Sequence, residues 1–570
     1  MNLLLLIVII PLYVFCRKHE EEIIKVNFGY IKGKKFIIAN KKVSAFYGVP
    51  YSGLVIGQRK FSPPTYLIRK YWSEEIYDAT FPRNGCFQDL SRFFFPGFDW
   101  IYPNSMAEDC LHLNIWKPPL PNGGVLVFIF SHDLLRGNAY ISIHNGAYLA
   151  AKTGLIVVNI NFRVGFHGFS YLGENGSYIK GNLGLLDQQY ALKWIYENIG
   201  NFGGDKNKIT LFGHGMGGVF ASAHLYSEES SKYFNNIYLS SGSIRNMWAF
   251  QSKELIEQTT RKIALLLNCT GDVNTIYECL KTVSPLELEV KTVEALRGGN
   301  LPFKYGINII ETDSLFFNGS LIEKIKHNKM KKRFSIVIGK SINEGSFHLS
   351  QFIDSSEFGC KNVYHENNDE FTSDTCKMNQ RKFSLFLQAI NKHLKLEEYQ
   401  LEIIKKTYVK KKTKDYRSIA AQIVSDFFFN YDLEKFALDI TEEGIAKKVF
   451  FYEFARISTA DRQLWPEWML PLYGSELQYI FGLPFRLPSI YSKRLLKIEQ
   501  NVSYKMMTMV NNFVLKGNPG RKFTEFTSTQ QKIYIVGDNH FCRNKPRKKT
   551  NTFPPSLKCI YNFLPKNITI

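Results

Sequence analysis

Short apolar runs recur along the chain, separated by longer amphipathic stretches. They are Gly124 to Phe130 (GVLVFIF), Leu155 to Ile160 (LIVVNI), Lys208 to Phe212 (KITLF), Phe334 to Ile338 (FSIVI) and Lys448 to Phe451 (KVFF). Each is too short for a globular helix and rich in β-branched or aromatic residues, which predicts strands. Runs without polar alternation predict strands covered on both faces. A helical stretch, Leu186 to Glu197, stands between the second run and the third. This alternation predicts an α/β fold, with a large, mostly parallel central sheet flanked by helices. The segment from about Ser350 to Ser425 is charged and poor in strand signals, which predicts helices and loops beside the sheet. No repeat, low-complexity tract or Pro/Gly/Ser linker divides the chain. Residues 17–570 therefore read as a single domain.

The N-terminus changes the picture. Asn2 to Phe15 is almost wholly apolar, and Arg17, Lys18 and a Glu run follow at once. The run falls short of the roughly 20 residues that cross a bilayer. It reads as a secretory signal peptide over residues 1–16, cut near Cys16 or Arg17. No later stretch predicts a membrane span, and the tail NFLPKNITI is too short and polar for a lipid-anchor signal. Of nine cysteines, eight remain without Cys16, an even number that suggests disulfides in an extracellular chain. Sequons at Asn175, Asn268, Asn318, Asn501 and Asn567 are candidate glycosylation sites.

Charge adds a partner class. Lys and Arg number 72 against 51 Asp and Glu, a net charge of +21. Dense basic runs lie at Lys326 to Arg333, Lys405 to Lys414 and Arg543 to Lys549. On an extracellular chain this surplus suits an acidic glycan or membrane surface. No nucleic-acid-binding motif accompanies it.

The segment from Ile160 to Gly218 contains NFRVGFHGF and then GNLGLLDQQYALKWIYENIGNFGGDKNKITLFGHGMGG. Further motifs are EDCLHLNIWKP at Glu108, SSGS at Ser240, INEGSF at Ile342, GSELQYIFGLP at Gly474 and NFVLKGNP at Asn512. In this order they resemble the type-B carboxylesterase and cholinesterase family across nearly the whole chain. The resemblance implies an α/β-hydrolase fold with a deep aromatic gorge.

A nucleophile elbow is a sharp strand-to-helix turn that lifts a serine hydroxyl above the sheet. The matching turn here is Gly213-His214-Gly215-Met216-Gly217-Gly218, so the nucleophile position is Gly215, which has no side chain. The resemblance places the general base at Tyr473, whose phenol is a poor base at neutral pH. It places the acid at Glu344, which is retained. Where the family has oxyanion-hole glycines, this chain has Ser131, His132 and Asp133, and an inward-facing Asp133 would oppose an oxyanion. With three catalytic parts degenerate, a pseudoenzyme is expected.

Other chemistry was weighed. His132, His167 and His214 lie near the expected pocket, but their spacing matches no metal motif and no cofactor is implied. A substitute pair of Ser131 and His214 requires the two to come within hydrogen-bond reach. The resemblance pairs Cys86 with Cys110 and Cys269 with Cys279. Cys360, Cys376, Cys542 and Cys559 leave three pairings open, of which proximity favours Cys360–Cys376 and Cys542–Cys559. It also places Trp100 where cholinesterases hold a choline headgroup, and Trp248 at the acyl pocket, so a small cationic or apolar gorge ligand is a candidate. The family includes neuroligin-like and glutactin-like adhesion proteins that have lost triad residues. The expectation is thus a secreted, non-catalytic protein that binds an extracellular protein, a matrix component or a ligand. The alternatives are an esterase with an atypical site and a small-molecule carrier using the gorge.

Overall fold

The computed structural model describes residues 20–67, 75–88, 105–131, 133–296, 306–327, 333–352, 377–410, 414–442, 444, 446–537 and 544–546. One sheet of 13 strands runs through them. Its strands are β1 (Glu21–Val26), β2 (Gly29–Ile38), β3 (Lys41–Pro50), β4 (Ile76–Asp78), β5 (His112–Lys117), β6 (Gly123–Ser131) and β7 (Ile156–Ile160), followed by β8 (Gly204–Gly215), β9 (Asn236–Ser240), β10 (Ser335–Ser341), β11 (Lys448–Phe454), β12 (Lys532–Val536) and β13 (Asn544–Pro546). The spatial order is β1-β2-β3-β5-β7-β6-β8-β9-β10-β11-β12-β13, with β4 beside β2.

From β7 across to β12 every neighbouring pair is parallel. All five predicted runs fall in this block, and their residues are almost all buried, as expected for strands covered on both faces. The sheet is the large, mostly parallel one of an α/β-hydrolase. Its N-terminal part differs: β1, β2, β3 and β5 pair antiparallel. These strands were not among the predicted runs. Along β1 buried residues alternate with exposed ones, so one face meets water and no continuous apolar run marks it.

Five helices position the site or pack its support. They are α1 (Ala147–Thr153), α2 (Leu183–Asn198), α3 (Met216–Ala223), α4 (Glu344–Phe352) and α5 (Leu496–Lys516). α2 contains the predicted Leu186–Glu197 helix. Its buried Asp187 takes a two-pronged ion pair from Arg163, with Nε at 2.8 Å and Nη2 at 2.7 Å. That bond links two of the sequence motifs, NFRVGF and GLLDQQ. α5 lies so close to the sheet that a Cβ on Gly124 would stand 2.9 Å from Leu515. Between 350 and 425 the described segments include helices Gln380–Leu394, Glu398–Tyr408 and Tyr416–Ser425, as the charge pattern predicts.

Disulfides join Cys86 to Cys110 and Cys269 to Cys279. The first closes 24 residues and contributes about 3 kcal/mol on a chain-entropy argument. Cys360, Cys376, Cys542 and Cys559 lie outside the described residues, as do Trp100, His132 and Asn567. Asn175, Asn268, Asn318 and Asn501 are exposed. Among the described residues no helix is long and apolar enough to cross a membrane.

Candidate functional site: a filled nucleophile elbow

The carboxyl ends of parallel strands are where α/β sheets place their sites. Strand register puts Ser131, the end of β6, beside Gly215, the end of β8. Gly215 turns directly into α3 with φ 57° and ψ −120°, a region that L side chains occupy only under strain. The turn is also very tight. A Cβ on Gly213 would stand 2.0 Å from the Gly217 carbonyl oxygen, and one on Gly217 would stand 2.1 Å from that of Ile129. Backbone fills the space, so no larger residue fits at either position. The elbow geometry is therefore intact without its nucleophile.

The missing side chain has a replacement in space. A Cβ built on Gly215 would lie 1.6 Å from Tyr473 Oη. The tyrosine hydroxyl thus occupies the volume in which a side chain at 215 would start. The Tyr473 ring is only 2 % exposed. It stands 4.4 Å from the His214 ring, 4.6 Å from His348 and 5.8 Å from Phe347, on which it stacks. Phe429 closes another side at 5.9 Å. Phe347 ends the INEGSF motif, but neither the sequence motifs nor the charge pattern pointed to His348 of α4 or to Phe429 of a separate helical segment.

Three bonds hold the tyrosine loop against the start of α4. Ser341 Oγ donates to the Pro471 carbonyl at 2.9 Å, Asn343 Nδ2 to that of Trp468 at 3.1 Å, and Ser346 Oγ to that of Met469 at 2.7 Å. Ser341 and Ser346 are fully buried, so each bond also satisfies a group that water cannot reach.

Glu344 opens α4 and is fully buried. Its Oε1 accepts from Ser241 Oγ at 2.7 Å and from the Ser341 amide at 2.8 Å. Among the described residues its Oε2 takes no hydrogen bond. Burial, then the nearby Glu476 carboxylate, pushes Glu344 up to about 8. Two more buried acids stand close behind. Burial raises Glu476, which accepts from the Ser240 hydroxyl, and pushes Asp461 up to about 7. Asp461 accepts from Ser475 Oγ at 3.0 Å. Ser240, Ser475 and Glu476 sit inside motifs read from the sequence, but their convergence depends on the fold alone.

The loop after β6 offers few donors to a developing anion. The Leu135 amide donates to Asp133 Oδ1, the Gly137 amide to Gln88 Oε1, and the Ala139 amide to Asn161 Oδ1, at 2.9, 3.2 and 2.7 Å. Asp133 is not a bare inward charge, because its other oxygen is paired with Arg136 at 3.0 Å. Ser131 Oγ donates to the main-chain carbonyls of Asp133 and Arg136, so its hydroxyl is turned away from any role with His214.

The remaining candidates are dispersed. His167 Nδ1 lies 2.6 Å from Glu289 Oε1, whereas His214 packs on Tyr473. Among the described residues no group of three potential ligands could hold a metal. Trp248 is buried, with Nε1 donating to the Phe428 carbonyl at 2.7 Å and its ring near Phe429.

The carboxylesterase family profile matches residues 20–553. This chain belongs to the carboxylesterase family. It is 32% identical to acetylcholinesterase 4 of Caenorhabditis briggsae over 543 residues, covering 90% of this chain and 85% of that protein. It is 28% identical to the cholinesterase of Mus musculus, covering 92% of this chain and 84% of the mouse protein. Against the acetylcholinesterase of Danio rerio the identity is 27%, over 98% of this chain and 90% of the fish protein.

Proposed function

We propose that this carboxylesterase-family chain is a secreted, non-catalytic protein that acts by binding, and that acidic extracellular glycans are its partners. The observation that carries the first part is the Gly215–Tyr473 pair. The elbow supplies no nucleophile, and the space is filled by a phenol packed among buried rings. The engaged amides after β6 and the carboxylate oxygen left open on Glu344 support the same reading. The nucleophile position has no side chain and the general-base position holds a phenol, the two parts that a serine esterase needs to attack and to move a proton. The packing around Tyr473 also counts against a carrier that uses the base of the gorge, since the rings would have to part.

Secretion is supported by the apolar N-terminal run, the two disulfides and the four exposed sequon asparagines. The glycan partner is supported by the net charge of +21. Part of the basic runs is internally committed: Arg333 donates to the Ala446 carbonyl at 3.3 Å and Lys405 pairs with Glu402 at 3.3 Å.

Two measurements test this. An organophosphonate probe should leave the secreted protein unlabelled, and a panel of choline, aryl and acyl esters should show no turnover. Stoichiometric labelling would refute the non-catalytic reading. On immobilised heparin the protein should be retained at about 0.15 M salt and elute well above it, since screening acts over about 8 Å there. Flow-through at that salt would remove the glycan part and leave the first part standing.

A further inference from the structure

Away from the elbow, a cavity of about 300 Å³ opens between the sheet edge, α1 and Arg486. None of its lining residues belongs to the Gly215–Tyr473 site. Lys34 and Phe36 reach it from one face of β2, where residues two apart point the same way, and Tyr47 reaches it from β3. Tyr148 of α1 forms the opposite wall, its ring stacked on Phe485 at 4.8 Å. Asn145 and Arg486 complete the lining.

The polar groups of this cavity are one-sided. Arg486 spends Nη1 and Nη2 on the carbonyls of Ile143 and Ser142, at 3.3 and 2.6 Å. Among the described residues no carboxylate lies within ion-pair distance of Arg486 or of Lys34. Asn145 gives its side-chain oxygen to the Ala147 amide at 2.9 Å, which leaves its Nδ2 donor for the cavity. The described lining therefore holds two cations, a side-chain amide and the phenols of Tyr47 and Tyr148, with no carboxylate. A guanidinium partly withdrawn from water and lacking a counter-charge is costly, because withdrawn charges are normally paired. Burial lowers Arg486 to about 10, the direction expected of such a cation. Lys34 Nζ sits 5.2 Å from the Tyr47 ring centre, so a ring rather than an acid faces it.

We infer that this cavity binds a single-chain anionic amphiphile, its carboxylate or sulfate held between Arg486, Lys34 and Asn145 and its apolar body against Phe36, Tyr47 and Tyr148. Both Nη atoms of Arg486 already donate to carbonyls, so the guanidinium holds the anion by its charge and its remaining N–H groups. A cavity of this size is at the lower end for small-ligand sites, which selects a body of roughly eight to twelve carbons. This inference does not rest on the loss of catalysis, and either can fail alone.

Calorimetry with the intact secreted protein, below micelle concentrations, tests it. Decanoate and decyl sulfate should bind at least ten-fold more tightly than decanol or decyltrimethylammonium. Arg486→Met should abolish that preference and Lys34→Met should reduce it several-fold. Lys34 lies on an edge-region strand with a partly exposed side chain, so its variant reports even if the Arg486 variant folds poorly. Lys291→Met, on helix Pro285–Leu296 outside the cavity lining, should change nothing. Equal binding of anion, alcohol and cation would overturn the inference. So would an anion preference that survives both lining variants, which would make it an effect of overall charge. A lipid headgroup is the other source of this chemistry. Capture by phosphatidylserine vesicles without decanoate binding would overturn the free-amphiphile form.

Discussion

The elbow at Gly215 and the acid side at Glu344 lie in one site but have kept different things. At the elbow the backbone is preserved and the side-chain chemistry is gone. Gly213 and Gly217 are held by carbonyl oxygens that leave no room for a Cβ, a constraint that operates whether or not the turn carries a nucleophile. On the acid side a carboxyl is preserved, buried and pushed up to about 8. Glu344 keeps two donors on one oxygen and leaves the other open. Packing constraints and chemical constraints are thus separable, and only the first fix the fold.

The comparison breaks most readily at the elbow flanks. Gly213→Ala or Gly217→Ala drives a methyl into backbone, so the loss should be about 3 kcal/mol or more. Secreted yield and urea unfolding measure it, and a neutral result would mean that the turn is not as tight as described.

Gly215→Ser comes next. It adds strain at φ 57° and a clash with Tyr473, together about 3 kcal/mol. Tyr473→Phe removes the clashing oxygen, so the double variant should recover about half of that loss. A double-mutant cycle reads this coupling. Strict additivity would show that Tyr473 does not fill the Gly215 space. No esterase activity should return with Gly215→Ser, since parts of a triad act as a unit.

The acid side should respond to pH. Glu344 at about 8 and Asp461 at about 7 both stand above their unfolded values near 4.5 and 3.8. The folded state then binds more protons between those limits, so stability falls as pH rises from about 5 to 8 and levels above. Glu344→Gln should flatten the upper part of this slope in unfolding curves taken at successive pH. An unchanged slope would remove Glu344 from the account. The smallest effect belongs to Ser346→Ala, which frees the Met469 carbonyl and should cost about 1 kcal/mol, read as a lowered unfolding midpoint.

Much of this arrangement could be read from the residues, and the limits are physical. The five parallel strands announced themselves because burial on both faces writes a continuous apolar run. β1 and β2 did not, because interspersed lysine and glutamate look like surface. Gly215, Tyr473 and Glu344 were named from motifs, but the contact between Gly215 and Tyr473 joins positions 258 residues apart and no local pattern encodes it. An inward-facing Asp133 was expected to oppose an oxyanion. Its pairing with Arg136 depends on how the loop folds back after β6. Trp248 was read as a possible ligand wall, and a carbonyl 180 residues away, at Phe428, turns it into core.

The elbow's backbone has one more consequence. In a hydrolase, the L residue at such a φ and ψ costs on the order of 1–3 kcal/mol, which the rest of the fold must absorb. With Gly215 there, the same turn is relaxed. The glycine spares the fold that cost, and stability reserves of this size let a sequence accept substitutions that would otherwise unfold it. A glycine at this one turn thus widens the range of surface residues that the same scaffold tolerates.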